Sequence, residues 1–179
     1  MIDCRKPSLT YPDGRASFRL GHYMPVSQKV LYEFGPFRVD PAQFNYLPTL
    51  RALLALSHGD PSRAIESLQA ASPYELGEPG SSAFATPLHP VYVRGEACSA
   101  AHHGVEAATE FQKILDHRGV TVNDPVSGLA YLQLGRAYAM QGDTMRAKAA
   151  YQDFLTLWKD ADSDIPIYRQ ARTEYVKLH

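Results

Sequence analysis

The stretch Gly128–Ala161, GLAYLQLGRAYAMQGDTMRAKAAYQDFLTLWKDA, decides how the chain folds. Read at helical period, its apolar residues fall on one stripe twice: Tyr131, Leu134 and Tyr138, then Ala147, Tyr151, Phe154 and Leu155. Between the stripes lies Gln141-Gly142-Asp143-Thr144. A glycine just past a helix end takes the left-handed conformation cheaply, and Asp143 or Thr144 can then cap the next helix. The spacing predicts a helical hairpin. Small residues stand where its two helices must touch, Gly135 and Ala139 on the first, Ala147 and Ala150 on the second.

Two more hairpins are expected upstream. From Ala42, the residues Phe44, Leu47, Leu50, Leu54 and Leu56 predict an apolar helix face, with Pro48 tolerable in the first turn. Gly59 ends this helix, while Asp60 caps the next and Pro61 occupies its first position. Ala64, Ile65, Leu68 and Ala71 form the return stripe, and Pro73 ends it. In the stretch Pro90–Leu115, Gly95 aligns with Gly135, Cys98 with Tyr138, Ala107 with Ala147 and Phe111 with Tyr151. Here His102-His103-Gly104 replaces the compact Gly-Asp turn. The small contact residues Ala52, Gly95 and Gly135 are 43 and 40 apart, and the excess over a compact repeat is assigned to loops at 75–89 and 117–124. Asp164 is expected to cap a last helix, Ile165–Leu178, whose Ile167, Ala171, Tyr175 and Leu178 cover the end of the third hairpin. Residues 42–179 are thus expected to form one all-α domain of about three hairpins plus a closing helix.

The pattern Tyr131-x2-Leu134-Gly135-x2-Tyr138, followed by Ala147-x3-Tyr151, resembles the tetratricopeptide (TPR) repeat. Tyr131 stands where that family often has Trp, and the late proline is displaced to Pro166. The runs NYLPTLRALLAL, GDPSRAIESLQAASPYELG and FQKILDHRG, with the third hairpin itself, resemble something narrower. They are similar to the C-terminal repeat region of eukaryotic-like serine/threonine kinases of acidobacteria. The resemblance implies a signalling-associated scaffold and carries no catalytic residue across. There is no glycine-rich ATP loop, no VAIK lysine and no Asp-Phe-Gly, and His117-Arg118-Gly119 lacks the aspartate of a catalytic loop. The expectation is a protein that is not an enzyme.

Residues 1–41 read as an irregular leader. They carry a formal charge of +2 against −3 for the remainder, and seven Pro or Gly residues between Pro7 and Pro36 leave no room for a long helix. Val30–Phe34 is expected as a short strand turned by Gly35-Pro36 into Phe37–Val39. The phrase YEFGPFRVDP looks like the opening strands of bacterial winged-helix DNA-binding domains, but no recognition helix follows. A truncated winged-helix/TPR transcriptional regulator is therefore the alternative reading.

Composition narrows the classes further. At 179 residues, 45% apolar and 21% charged, the chain has the make-up of one globular domain. A net charge of −1 supplies no global field for nucleic acid. Cys4 and Cys98 make no disulfide framework. No apolar run approaches the roughly 18 residues needed to span a bilayer, and MIDCRKPSLTYPDGR lacks the apolar core of a signal peptide. A cytoplasmic location is the expectation, with an extracytoplasmic one as the alternative.

Candidates for chemistry fall away one by one. The Gly80-Ser81-Ser82 loop has neither a P-loop lysine nor a nucleophile elbow. His102 and His103 are adjacent and so diverge on a helix. Asp160-x-Asp162-x-Asp164 imitates a calcium loop, but Ile165 replaces the turn glycine. No catalytic residue, metal or cofactor is expected.

What is left is binding of a protein or peptide. The repeat geometry implied by the resemblance puts Thr49, Leu53, Tyr92, Glu96, Ser99, Leu132, Arg136 and Met140 on a concave groove. Tyr92, Glu96, Ser99, Leu132, Arg136 and Met140 are the candidate partner-binding set. The Lys/Asn set with which some chaperone-binding TPRs hold a terminal carboxylate is absent from these positions. The helix contact itself is testable. Ala147→Leu should cost about 1–3 kcal/mol through overpacking, read as a lowered urea midpoint, and an unchanged midpoint would mean the hairpin register is wrong.

Overall fold

The computed structural model describes residues 42–76, 86–121 and 124–178. The expected strand Val30–Phe34 and its return Phe37–Val39 lie outside the described residues. A single π turn, Ala42–Tyr46, runs into α1, Leu47–Ser57. Helix α2, Pro61–Leu68, ends in a 3-10 turn, Gln69–Tyr74. Then come α3, His89–Ala100, α4, Gly104–Asp116, and the four-residue α5, Arg118–Thr121. The last three are α6, Val126–Met140, α7, Thr144–Leu157, and α8, Pro166–Lys177. The described part is all-α, with its eight helices packed as adjacent pairs. Helix α1 lies on α2, α3 on α4 and α6 on α7, while α2 also meets α3, α4 meets α6, and α8 closes on α7.

Within the second and third pairs, a glycine lets an aromatic ring of the partner helix lie on the backbone. A Cβ on Gly95 would stand 2.6 Å from Cε1 of Phe111, and one on Gly135 would stand 2.8 Å from Cδ2 of Tyr151. Both gaps are shorter than any carbon contact tolerates, so a side chain is excluded at either place. The first pair solves the same contact with Ala52 and Leu68, both fully buried in one cluster. The offset is 16 residues in all three cases, and a second small residue follows the first by 12: Ala64, Ala107 and Ala147, each fully buried.

The three hairpin turns share one backbone conformation. Gly59, His102 and Gly142 all have positive φ, at 73°, 61° and 77°. The following N–H groups, of Asp60, His103 and Asp143, donate to the carbonyls of Ala55, Cys98 and Tyr138 at 2.9, 2.8 and 3.0 Å. This satisfies carbonyls that the ending helix leaves open. The side chains differ. Asp60 and Asp143 each accept an N–H from three residues on, of Arg63 and Arg146, whereas His103 makes no such cap. His102-His103 is a Gly-Asp turn built from other residues.

Three expectations are corrected. Leu47, Leu50 and Leu54 of α1 do not face the core; Leu50 is 62% exposed, and the helix instead buries Pro48, Ala52 and Ala55. Close approach to α2 selects the small residues, which rotates the leucines outward. Asp164 does not cap α8; Ile165 holds the cap position without a side-chain bond, and Pro166 opens the helix. The expected loop at 117–124 contains α5. Helix α8 otherwise covers the third pair as anticipated, with Ala171 buried and Ile167, Tyr175 and Leu178 packed against Leu132, Tyr151 and Phe154.

The turns generate a test. A non-glycine residue at positive φ is strained by about 1–2 kcal/mol, partly offset by the backbone entropy that glycine loses. His102→Gly should therefore raise stability by about 0.5–1 kcal/mol, and Gly142→Ala should lower it by a similar amount. Urea denaturation of both variants checks this, and opposite signs at the two turns are the expected outcome.

Candidate functional site

The most connected polar feature of the described residues runs across α3, α6 and α8. Gln133 on α6 is its hinge. Its Nε2 donates to the Tyr92 hydroxyl oxygen and to Glu96 Oε1 on α3, both at 3.2 Å. Its Oε1 accepts from Arg136 at 3.3 Å, which fixes the orientation of the amide. Arg136 forks onto Glu174 of α8, with Nε and Nη2 each 2.9 Å from a carboxylate oxygen. The Tyr151 hydroxyl, from α7, donates to the same carboxylate at 2.8 Å. Since the Tyr151 ring lies on Gly135, the contact that joins α6 to α7 also aims this hydroxyl at α8.

Burial and charge tune these groups. Burial pushes Tyr92 up to about 12, helped by the neighbouring charge of Glu96. Burial also raises the Glu96 carboxyl, a rise that the Tyr92 hydroxyl and the Arg136 charge only partly offset. For Glu174, burial acts upward, but the bonds from Arg136 and Tyr151 outweigh it and hold the carboxyl below its ordinary range. Tyr151 is raised by burial and then by its bond to Glu174. Such an array can recognise charge and hydrogen-bonding groups on a ligand.

The sequence-derived set divides. Tyr92, Glu96 and Arg136 belong to this row and are half-buried. Met140, at the end of the same helix as Arg136, is 41% exposed. Ser99 is half-buried, and its Oγ has no hydrogen-bond partner. Leu132 is a correction: it is fully buried in the cluster of Tyr151, Phe154 and Ala171, because α8 packs over it. In the first pair, Leu53 is exposed, and the Thr49 hydroxyl is turned back onto the Asn45 carbonyl at 2.6 Å. Gln133, Tyr151 and Glu174 escaped the sequence reading. The spacing Gln133-x2-Arg136-x3-Met140 is a proper helical stripe and could have shown Gln133. Glu174 depends on where α8 docks, which no local pattern reveals.

A second charged cluster holds the end of the 3-10 turn. Glu75, 1% exposed, accepts from Arg94 at 2.5 Å and from Lys113 at 2.6 Å, and Arg94 also bonds Glu110 at 2.7 Å. Every charge here has a partner, as a buried carboxylate requires. A 480 Å³ cleft near α4 and α6 is lined by Ala108, Gln112, Tyr138, Gln141 and Arg146. Its Arg146 already bonds Asp143 at 2.6 Å. Among the described residues no three His, Cys, Asp or Glu groups come together to hold a metal, and no helix is long and apolar enough to cross a membrane. No family model matches this chain, and no curated protein matches it.

The Arg136–Glu174 fork predicts a pH signature. A carboxyl lowered in the folded state stabilises fully above its unfolded value of about 4.3, and that gain is lost as pH falls through the lowered folded value. Glu174→Gln should cost about 1–2 kcal/mol at pH 7. The gap between wild type and variant should narrow as the pH falls below about 4. Urea midpoints at neutral and acid pH check both statements.

Proposed function

We propose that this domain is a TPR-like, non-catalytic scaffold that holds a protein segment along the row formed by α3 and α6. One observation carries the reading: Tyr92, Glu96, Gln133, Arg136 and Glu174, from the first helices of the second and third pairs and from the closing helix α8, are joined in one half-buried hydrogen-bonded row. A core needs no such row, and polar groups fixed in this way are pre-organised for a ligand. The equal offsets of 12 and 16 residues within each pair, and the shared turn geometry, support the repeat assignment. The resemblance to the repeat region of acidobacterial serine/threonine kinases supports a place in bacterial signalling, as a fragment or relative of a sensor region. The winged-helix alternative rests on residues outside the described ones. No observation favours it.

The partner is a peptide or an extended protein segment, docked at modest affinity because it loses conformational freedom on binding. A random dodecapeptide library panned against the full chain tests this. The retained peptides are titrated into ¹⁵N-labelled protein, and the expected shifts are at the amides of Tyr92, Glu96, Gln133 and Met140. Shifts confined to the cleft around Val105, Gln112 and Arg146, or no retained peptide, would contradict the proposal. The purified chain should release no phosphate from ATP, and turnover that persists through purification would contradict the non-catalytic part.

A further inference from the structure

Charge in the proposed groove does not balance. Glu96, Arg136 and Glu174 are its three charged groups, two carboxylates against one guanidinium, so the row carries a formal −1. The guanidinium is fully claimed: two of its nitrogens lie on Glu174, and the third lies on the Gln133 carbonyl oxygen at 3.3 Å. Glu96 takes its hydrogen bonds from neutral groups: its Oε1 accepts from the Gln133 amide at 3.2 Å, and its other hydrogen-bond partner is the Tyr92 hydroxyl. The Arg136 charge acts on it as well but, held on Glu174, offsets its burial only in part. Among the described residues no Lys or Arg makes an ion pair with it; Arg94, on the same helix, is engaged with Glu75 and Glu110.

A half-buried carboxylate with hydrogen bonds from neutral donors and no ion pair of its own keeps much of its desolvation cost. The contrast with Glu75 is instructive, since that carboxylate is buried more deeply and has two cations. Burial correspondingly raises the Glu96 carboxyl. An anionic ligand would meet two carboxylates and an already saturated arginine. A cationic group would meet Glu96 and the Tyr92 ring, which is set at 65° to the Phe111 ring with centroids 5.7 Å apart. Carboxylate and aromatic ring together are a favourable setting for an ammonium or guanidinium.

We infer that the groove selects a basic side chain of its partner, a lysine or arginine placed against Glu96 beside Tyr92. This rests on the scaffold reading above and adds to it the charge of the bound segment. Its sources of specificity are the carboxylate, with which no Lys or Arg of the described residues makes an ion pair, and the phenol and amide that hold that carboxylate in place.

The dodecapeptides retained by the full chain provide the test. They should share a Lys or Arg, and replacing that residue by norleucine should weaken binding by about tenfold or more. Glu96→Gln keeps the shape and the Gln133 contact, and it should weaken the basic peptides by a similar factor while leaving the thermal midpoint close to wild type. Peptides that shift Tyr92 and Gln133 but share no basic residue, or that bind Glu96→Gln as tightly as wild type, would overturn the inference and leave the groove standing. Peptides that shift only residues elsewhere would overturn both.

Discussion

The structure depends on two places where a helix backbone lies directly beneath an aromatic ring. Gly95 under Phe111 and Gly135 under Tyr151 leave no room for even a methyl group. Close approach of this kind lets dispersion act over the whole length of a helix pair, and it fixes the register because the ring fits at one position only. The first pair reaches the same end with Ala52 and the smaller Leu68. Ring size and contact residue vary together, so the pairs remain equivalent in backbone while differing in sequence.

From that register the polar row follows. Once α6 is seated on α7, Leu132 points into the core, Gln133 faces α3 and Arg136 faces the closing helix α8. Tyr151 joins the two layers, its ring against Gly135 and its hydroxyl on Glu174. Helix packing and the polar row thus share a residue. The consequence is that Arg136 is engaged by the closing helix, whereas the Glu96 carboxylate of the same row takes its hydrogen bonds from neutral groups.

The pairing of helices was legible in the sequence because it is written in short-range spacing. The offsets of 12 and 16 residues, the Gly-Asp turns and the caps at Asp60 and Asp143 are all local signals. The second turn was less clear, since His102 adopts a left-handed conformation that is uncommon for any residue other than glycine. Helix α1 misled because it is apolar nearly all round, so periodicity alone could not say which face is buried. The candidate site was half legible. Tyr92, Glu96 and Arg136 came from aligning equivalent positions, whereas the burial of Leu132 and the partnership with Glu174 are set by α8, far along the chain.

The central claim is that a small residue and the side chain packed on it form one unit in each pair. A double-mutant cycle at Gly135 and Tyr151 tests this most directly, because the doubly substituted pair, Gly135→Ala with Tyr151→Leu, has the chemistry of Ala52 and Leu68. Gly135→Ala alone should destabilise by roughly 1–3 kcal/mol through the clash with the ring. With Tyr151→Leu present, the added methyl group should cost much less, giving a favourable coupling of at least about 0.5 kcal/mol between the sites. Strictly additive losses in the urea midpoints would contradict the account.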